Sequence, residues 1–365
     1  MGILRRTLGS LAVVLVVSTT LTGCHGLPHA KAVITGLDFP AGFTIDPNNH
    51  EIWYAERFTG EIHRRDLATN QDTLVWTVTN VITSGEQGLL GLALHPGYPS
   101  SPFLYAYASR NVGGERNQVL KITLSRGVGT SQRVIMNDPN IDANHNGGRI
   151  KFGPGGNLYV AIGEHGNAAN AQTINGNTNL AGKVLRMTPD GGVPSDNPFA
   201  GSFVWAYGIR NSFGFTFDPG NGNLWLNDNG PNCNDEVDRI LKGGNYSWGP
   251  EATCATPPDP PQNTNQSGPI PRRQPAKFYD AAMGITGTAF CWNCGLGAGL
   301  NGRLLFSTYN NGRLHSLTLD SSRTAVVNDV VVYDHPSGVL SIETRPGQPV
   351  YFSDSSAIYE LTLVG

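Results

Sequence analysis

The feature that most constrains this chain is a unit that recurs along it. Each copy runs an apolar strand into a turn rich in Pro or Gly, then a second alternating strand, a polar turn and often a third strand. Copies begin at "GFTIDPNNHEIWYAERFTGEIHRRDL" (42–67), "LGLALHPGYPSSPFLYAYAS" (90–109) and "RIKFGPGGNLYVAIGE" (149–164). They continue at "FGFTFDPGNGNLWLNDNG" (213–230), "NGRLLFSTYNNGRLHSLTLD" (301–320) and "VLSIETRPGQPVYFSDSSAIYELTL" (339–363), which makes six units. A sheet this small cannot bury both faces alone, but six of them repeated radially pack face to face and leave only short, protected edges. The expectation is an all-β chain, a six-bladed β-propeller of four-stranded antiparallel blades, with 25–365 as one domain. The segment "KAVITGL" (31–37) is expected to lend a strand to the last blade and close the ring.

The spacing between units is irregular, so this is no WD40 array, and the insertions fall on loops, where propellers place binding groups. A pair of β-sandwich domains is the rival fold and predicts a linker near the middle. The most linker-like stretch, "ATPPDPPQNTNQSGPIPRRQP" (255–275), lies between units four and five and reads as a surface excursion. Composition agrees with many strands and tight turns: 46 Gly, 24 Pro and only 15% charged residues, with no long amphipathic helical stretch. A net charge of −3 offers no basic face for nucleic acid and no polybasic run for an anionic membrane.

Residues 1–24 read as a targeting segment, with Arg5 and Arg6 before the apolar "LGSLAVVLVVSTTLTG". The order Leu21-Thr22-Gly23-Cys24 resembles a bacterial lipobox, which makes Cys24 the expected lipidation site. Plain secretion is the alternative. Either way the protein is expected to be exported, and in the first case it contacts the membrane only through its lipid anchor. The remaining cysteines, Cys233, Cys254, Cys291 and Cys294, are an even set in an oxidising compartment. The simplest reading pairs Cys233 with Cys254 and Cys291 with Cys294, although other connectivities, a four-cysteine metal site or a redox pair in "CWNC" also use these residues.

Polar clusters fall where inner strands begin or second strands end. "SGEQGLLGLALHP" sets Glu86 and Gln87 before unit two, His145 precedes unit three, and Glu164 follows its second strand. "AYGIRNSFGF" sets Arg210 and Asn211 before unit four, and "NDNGPNCNDEVD" follows that unit's second strand. In an up-and-down blade these two positions share one end of the sheet, so all of these groups are expected to converge on one face. A histidine beside Gly-Gly also suits a plain turn. Likewise Glu164 suits a solvated turn, Arg210 suits a partner for Asp218 or Asp228, and Asp235 and Glu236 suit either a calcium site or an exposed acidic turn.

The segments "GEQGLLGLALHP", "HNGGRIKFGPGGNLYVAIGE", "LAGKVLRMTPDG", "DNPF", "VWAYGIRNSFGFTFDP", "GPNCNDEVDRI" and "GGNYSWGP" together resemble the soluble glucose/sorbosone dehydrogenase family, from about residue 38 to 250 and more weakly beyond. The resemblance implies a six-bladed propeller that binds pyrroloquinoline quinone (PQQ) and Ca2+. It implies His145 as the base that takes the proton of a sugar's C1 hydroxyl, with Glu164 as its partner. It further implies Gln87 at the quinone or substrate, Arg210 and Asn211 at the cofactor, and the carbonyls of Gly230 and Pro231 on calcium. The partners implied are a small-molecule sugar and an external electron acceptor, with the sugar oxidised to a lactone.

Two places depart from the family pattern. Asn144 stands where better-known members carry an acidic residue, and His165 has no counterpart. PQQ carries three carboxylates, and burying them calls for cations. The family's lysine and two arginines fall at Asn310, Gly338 and Leu340 here, with Arg303, Arg313 and Arg345 as nearby candidate substitutes. The competing expectation is therefore a propeller that kept the fold and binds a glycan, peptide or partner protein without catalysis.

Overall fold

The computed structural model describes residues 26–48, 50–250 and 273–364. Six four-stranded antiparallel sheets form six blades, numbered here in chain order. Blade one is Gly42–Ile45, Glu51–Ala55, Glu61–Asp66 and Asp72–Thr77; blade two is Leu89–Leu94, Phe103–Asn111, Glu115–Ser125 and Val128–Asp138. Blade three is Arg149–Phe152, Leu158–Ile162, Lys183–Met187 and Val204–Tyr207; blade four is Gly214–Phe217, Leu224–Asp228, Asp235–Ile240 and Lys277–Tyr279. Blade five is Ile285–Cys291, Arg303–Thr308, Arg313–Leu319 and Val326–Asp334. Blade six takes Ser341–Glu343, Val350–Ser353 and Ala357–Val364 from the C-terminal end, and its outer strand, Leu27–Thr35, from the N-terminal end. The ring thus closes with the segment the sequence assigns to that task, and eight backbone pairings between Leu27–Thr35 and Ala357–Val364 hold it shut.

Burial follows position in the blade. The inner strand of blade two, Leu89–Leu94, is buried at every residue, whereas the outer strand of blade five, Val326–Asp334, is largely exposed. The apolar core is correspondingly divided, and each cluster bridges two neighbouring blades. Trp53 and Ile62 of blade one pack with Leu104 and Leu120 of blade two, and Phe43 and Tyr54 of blade one pack with Tyr351 and Ile358 of blade six.

Glycines on the inner strands set how closely the blades meet at the axis. A Cβ on Gly214 would lie 2.1 Å from the Thr286 carbonyl oxygen, one on Gly91 2.1 Å from the Gly148 oxygen, and one on Gly287 2.2 Å from the Ile342 nitrogen. These glycines are required for space, since neighbouring backbones occupy the volume a side chain would take.

Blade five corrects one expectation. The unit placed at 301–320 supplies the second and third strands, and the inner strand lies earlier, at Ile285–Cys291. Every residue of that strand is buried, so it shows no alternation of polar and apolar positions. Cys291 and Cys294, at its end, form a disulfide as expected. Cys233 is also disulfide-bonded, while Cys254 and Cys24 lie outside the described residues. No helix among the described residues is long and apolar enough to cross a membrane.

Because the contact at Gly214 is backbone against backbone, Gly214→Ala is expected to cost about 1–3 kcal/mol in denaturant unfolding. Gly155→Ala, at a turn where an added Cβ meets nothing within 4 Å, is expected to stay within about 0.5 kcal/mol of the parent.

Candidate functional site

Inner-strand beginnings from all six blades, with second-strand ends from blades one, four and five, surround a cavity of about 450 Å³ at one end of the axis. Its lining includes His145, Arg210, Asn211, Gly230 and Pro231, together with Glu86, Asp235, Asn310 and Leu340, so nine of the residues singled out in the sequence meet there. This volume lies in the range of small-molecule and cofactor sites.

His145 Nδ1 sits 2.8 and 2.7 Å from the two oxygens of Glu164, and its Nε2 sits 3.1 Å from Arg210 Nη2. A guanidinium only donates, so Nε2 is the acceptor and the ring proton resides on Nδ1, facing Glu164. The Nδ1 proton thus faces Glu164 and Nε2 is left as an acceptor on a residue that lines the cavity, the arrangement a general base needs. Glu164 is 4% exposed at its side chain, against 18% for His145. The carboxylate is thus the covered member of the pair.

The supporting contacts are mostly backbone. His145 adopts the left-handed conformation, φ 56°, and its N–H donates to Glu86 Oε2 at 2.7 Å. The same oxygen accepts from Asn211 Nδ2 at 3.0 Å. Asp228 accepts the backbone N–H groups of Arg210 and Asn211 at 2.8 and 2.7 Å. Burial pushes the Asp228 carboxyl up to about 6, against the pull of those two N–H donors. Arg210 Nη1 reaches the carbonyls of Asn229 and Gly230, both at 2.9 Å, and its guanidinium stacks 5.3 Å from the Trp248 ring centre. The side chain of Arg210 thus serves the site, while Asp218 pairs with Arg323 instead. Two buried polar atoms here, Arg210 Nε and Asn211 Oδ1, have no hydrogen-bond partner among the described residues.

Gln87 stands apart from the cavity lining. Buried at 2% exposure, it donates from Nε2 to the Asp142 carbonyl at 3.0 Å and staples the loop that carries His145 to blade two. Asn144 begins a local turn by donating its N–H to Asp142 Oδ1. Asp235 is consumed by the N–H groups of Gly230, Met283 and Ile285. Glu236 is not an exposed turn residue. It faces Asp228 across the blade four ladder, and burial followed by repulsion from Asp238, Asp228 and Asp235 drives its carboxyl well above the usual range. Neither oxygen of Asp238 has a hydrogen-bond partner among the described residues. Asn310 and Leu340 line the cavity, confirming uncharged groups on that wall. The proposed substitutes are elsewhere: Arg303 bonds Thr318, Arg313 pairs with Asp334, and Arg345 donates to the Ile45 carbonyl.

Among the lining residues that the sequence did not single out are Arg57, Arg149 and Tyr309. Arg57 leaves the end of a second strand, the same position as Glu164 in blade three, and that equivalence is the signal that points to it.

The profile of the family described as Glucose / Sorbosone dehydrogenase matches residues 37–361. The chain belongs to this family. Quinoprotein glucose dehydrogenase B of Acinetobacter calcoaceticus is 31% identical over 248 residues, 60% of this chain and 52% of that protein. Aldose sugar dehydrogenase YliI of Escherichia coli is 30% identical over 243 residues, 63% of this chain and 64% of its own length. The chain thus spans between about half and two thirds of these curated relatives. Among solved structures, the PQQ-bound form of aldose sugar dehydrogenase from Streptomyces coelicolor superposes with a TM-score of 0.77 at 27% identity, covering 93% of this chain and 98% of that one. The family member described here therefore has its fold from end to end of the matched region.

His165, next to Glu164, gives a pH prediction. Asn117 donates to its Nε2 at 3.1 Å, its Nδ1 has no hydrogen-bond partner among the described residues, and burial holds the imidazole down to about 3 from an ordinary 6.5. The unfolded chain then binds the extra proton between these values, so this residue's contribution to stability is complete above pH 6.5 and is lost as the pH falls toward 3. Asp138 and Asp228, both raised to about 6, act in the opposite sense. Replacing His165 by Gln is expected to flatten the acid limb of the stability profile, measured by denaturant unfolding at stepped pH.

Proposed function

We propose that this family member is a PQQ-dependent oxidoreductase that oxidises the C1 hydroxyl of an aldose to a lactone and passes the electrons to an external acceptor. The observation that carries the proposal is His145, held between Glu164 and Arg210 with its unprotonated nitrogen at the cavity. Bound PQQ supplies the two-electron, hydride-accepting group that protein side chains lack. Arg210 and Asn211 are the residues that hold it, and their unpartnered buried atoms, Nε and Oδ1, are the polar capacity left for a ligand.

In this reading a sugar hydroxyl replaces or shares the Arg210 contact at His145 Nε2, and that nitrogen takes the hydroxyl proton. Glu164 fixes the tautomer beforehand and offsets the charge on the ring afterwards, without itself taking the proton. Gln87 acts indirectly, by fixing the loop that carries His145. Calcium belongs to the same proposal, on the Gly230 and Pro231 carbonyls. Asp228, Glu236 and Asp238 make this neighbourhood acidic, which favours a hard divalent ion at those carbonyls, although no three of these carboxyl groups come together as one ligand set among the described residues. Export through a segment ending at Cys24 completes the picture and agrees with the Cys291–Cys294 disulfide.

One observation favours the non-catalytic reading, a propeller that binds a glycan or protein partner: the blade five and six wall presents Asn310 and Leu340 to the cavity and no cation. Reconstitution decides between the two. With PQQ and Ca2+ supplied, dye-linked oxidation of one or more aldoses is expected, and absence of both quinone binding and turnover leaves the non-catalytic reading. His145→Ala is expected to lower kcat by about 10²- to 10⁴-fold while PQQ binding, followed by absorbance, is unchanged. Chelating calcium is expected to lower the melting temperature, and Glu236→Gln to shrink that shift.

A further inference from the structure

Resting on the quinone reading above, we infer that Arg57 of blade one holds the carboxylate end of the cofactor, taking over a charge that the blade five and six wall lacks. The wall's composition comes first. Asn310 and Leu340 line the cavity, and a side chain at Gly338 is barred because an added Cβ would meet the Tyr309 carbonyl oxygen at 2.5 Å. No cation from blades five or six lines the cavity. Blade six, however, is packed directly against blade one, through Tyr351 and Ile358 on one side and Phe43 and Tyr54 on the other. Arg57, at the end of blade one's second strand, lines the same cavity and lies within the electrostatic reach of Tyr309.

Arg57 is built as a fixed cation. Its Nε donates to the Gln87 carbonyl at 2.9 Å and its Nη2 to the Gly85 carbonyl. Its guanidinium lies 4.8 Å from the ring centre of Phe39 and 4.7 Å from that of Phe58. Phe39 is itself in the left-handed conformation at φ 56°, a strained position for an aromatic residue, and it too lines the cavity. Two carbonyls and two rings thus immobilise the group, and none of them neutralises it. The third nitrogen, Nη1, makes no hydrogen bond among the described residues.

The other charged groups at the cavity each serve neighbouring residues. Glu86 accepts from His145 and Asn211 and makes no ion-pair contact with Arg57, although its charge favours the Arg57 cation. Arg149 is fully buried, donates to the Phe213 and Ala41 carbonyls and feels the charge of Glu343. Arg210 is engaged with Asn229, Gly230 and His145. Arg149 Nη1 and Arg210 Nε also lack a hydrogen bond among the described residues, but Arg57 is distinguished by its place beside the neutral wall, within electrostatic reach of Tyr309, and a carboxylate is the ligand group that matches its free Nη1 donor.

The test is a titration of the calcium-loaded protein with PQQ and, separately, with its uncharged trimethyl ester, read by tryptophan fluorescence quenching. Arg57→Gln is expected to weaken PQQ binding roughly 10- to 100-fold and to leave ester binding unchanged. Arg57→Lys, which keeps the charge, is expected to retain the preference for PQQ over the ester, and Asn310→Lys added to Arg57→Gln to recover part of the loss. Equal PQQ affinity in the parent and Arg57→Gln overturns the assignment and leaves the quinone reading intact. Equal weakening toward PQQ and ester also overturns it, because it shows that Arg57 only supports the fold of the cavity. Failure of the parent protein to bind PQQ removes the quinone reading itself, and this inference with it.

Discussion

Backbone contact between neighbouring inner strands is the constraint on which the rest of the structure depends. At Gly91, Gly214 and Gly287 the space of a single methyl group is filled by the next blade's main chain. A larger residue there would push blades outward and open the axis. The apolar clusters between blades then complete a ring in which each sheet is covered on both faces, something no isolated four-stranded sheet achieves. Convergence of six sets of loop ends on one cavity follows from this packing, without any direct interaction having to draw the loops together.

The cavity adds a second level of constraint, made of buried carboxylates assigned to backbone donors. Asp228 takes the N–H groups of two successive residues, Arg210 and Asn211. Glu86 takes the N–H of His145 and the side chain of Asn211, tying blades two, three and four together through one oxygen. The N–H of Glu164 donates to the Arg210 carbonyl at 2.8 Å, so the residue that orients His145 is itself registered to the next blade. A buried charge without partners is costly, and satisfying it with fixed backbone donors restricts the loops to one arrangement. The histidine's position is consequently specified by three blades at once.

Much of this architecture was legible because a propeller repeats. Six units, the closing strand and the shared end for His145, Glu164, Arg210 and Asn211 all follow from strand order and turn positions. What escaped has physical reasons. Ile285–Cys291 is buried throughout and carries no alternation. Val204–Tyr207 lies after a long insertion and joins blade three as its outer strand, although by sequence it adjoins the motif that opens blade four. Gln87 and Glu86 are consecutive, and sequence cannot say which of the pair faces the cavity; here Glu86 lines it and Gln87 turns toward Asp142. Arg57 sits in an ordinary-looking "AERFTG" turn, and its importance appears only when blade one is seen beside blade six.

On the proposed quinone reading, that adjacency would let the site do without charges at particular positions. An extended anionic ligand needs a cation near its charged end, and a ring offers more than one wall from which to supply it. Blades one and four stand opposite each other in a six-membered ring, and they carry Arg57 and, in the loop opening blade four, Arg210. A planar ligand spanning the cavity would meet one guanidinium near His145 and another across the axis. The wall between them on the blade five and six side can then be neutral, with Tyr309 and Leu340 contributing surface in place of charge. The electrostatic requirement belongs to the cavity as a whole, and the fold leaves open which blade meets it.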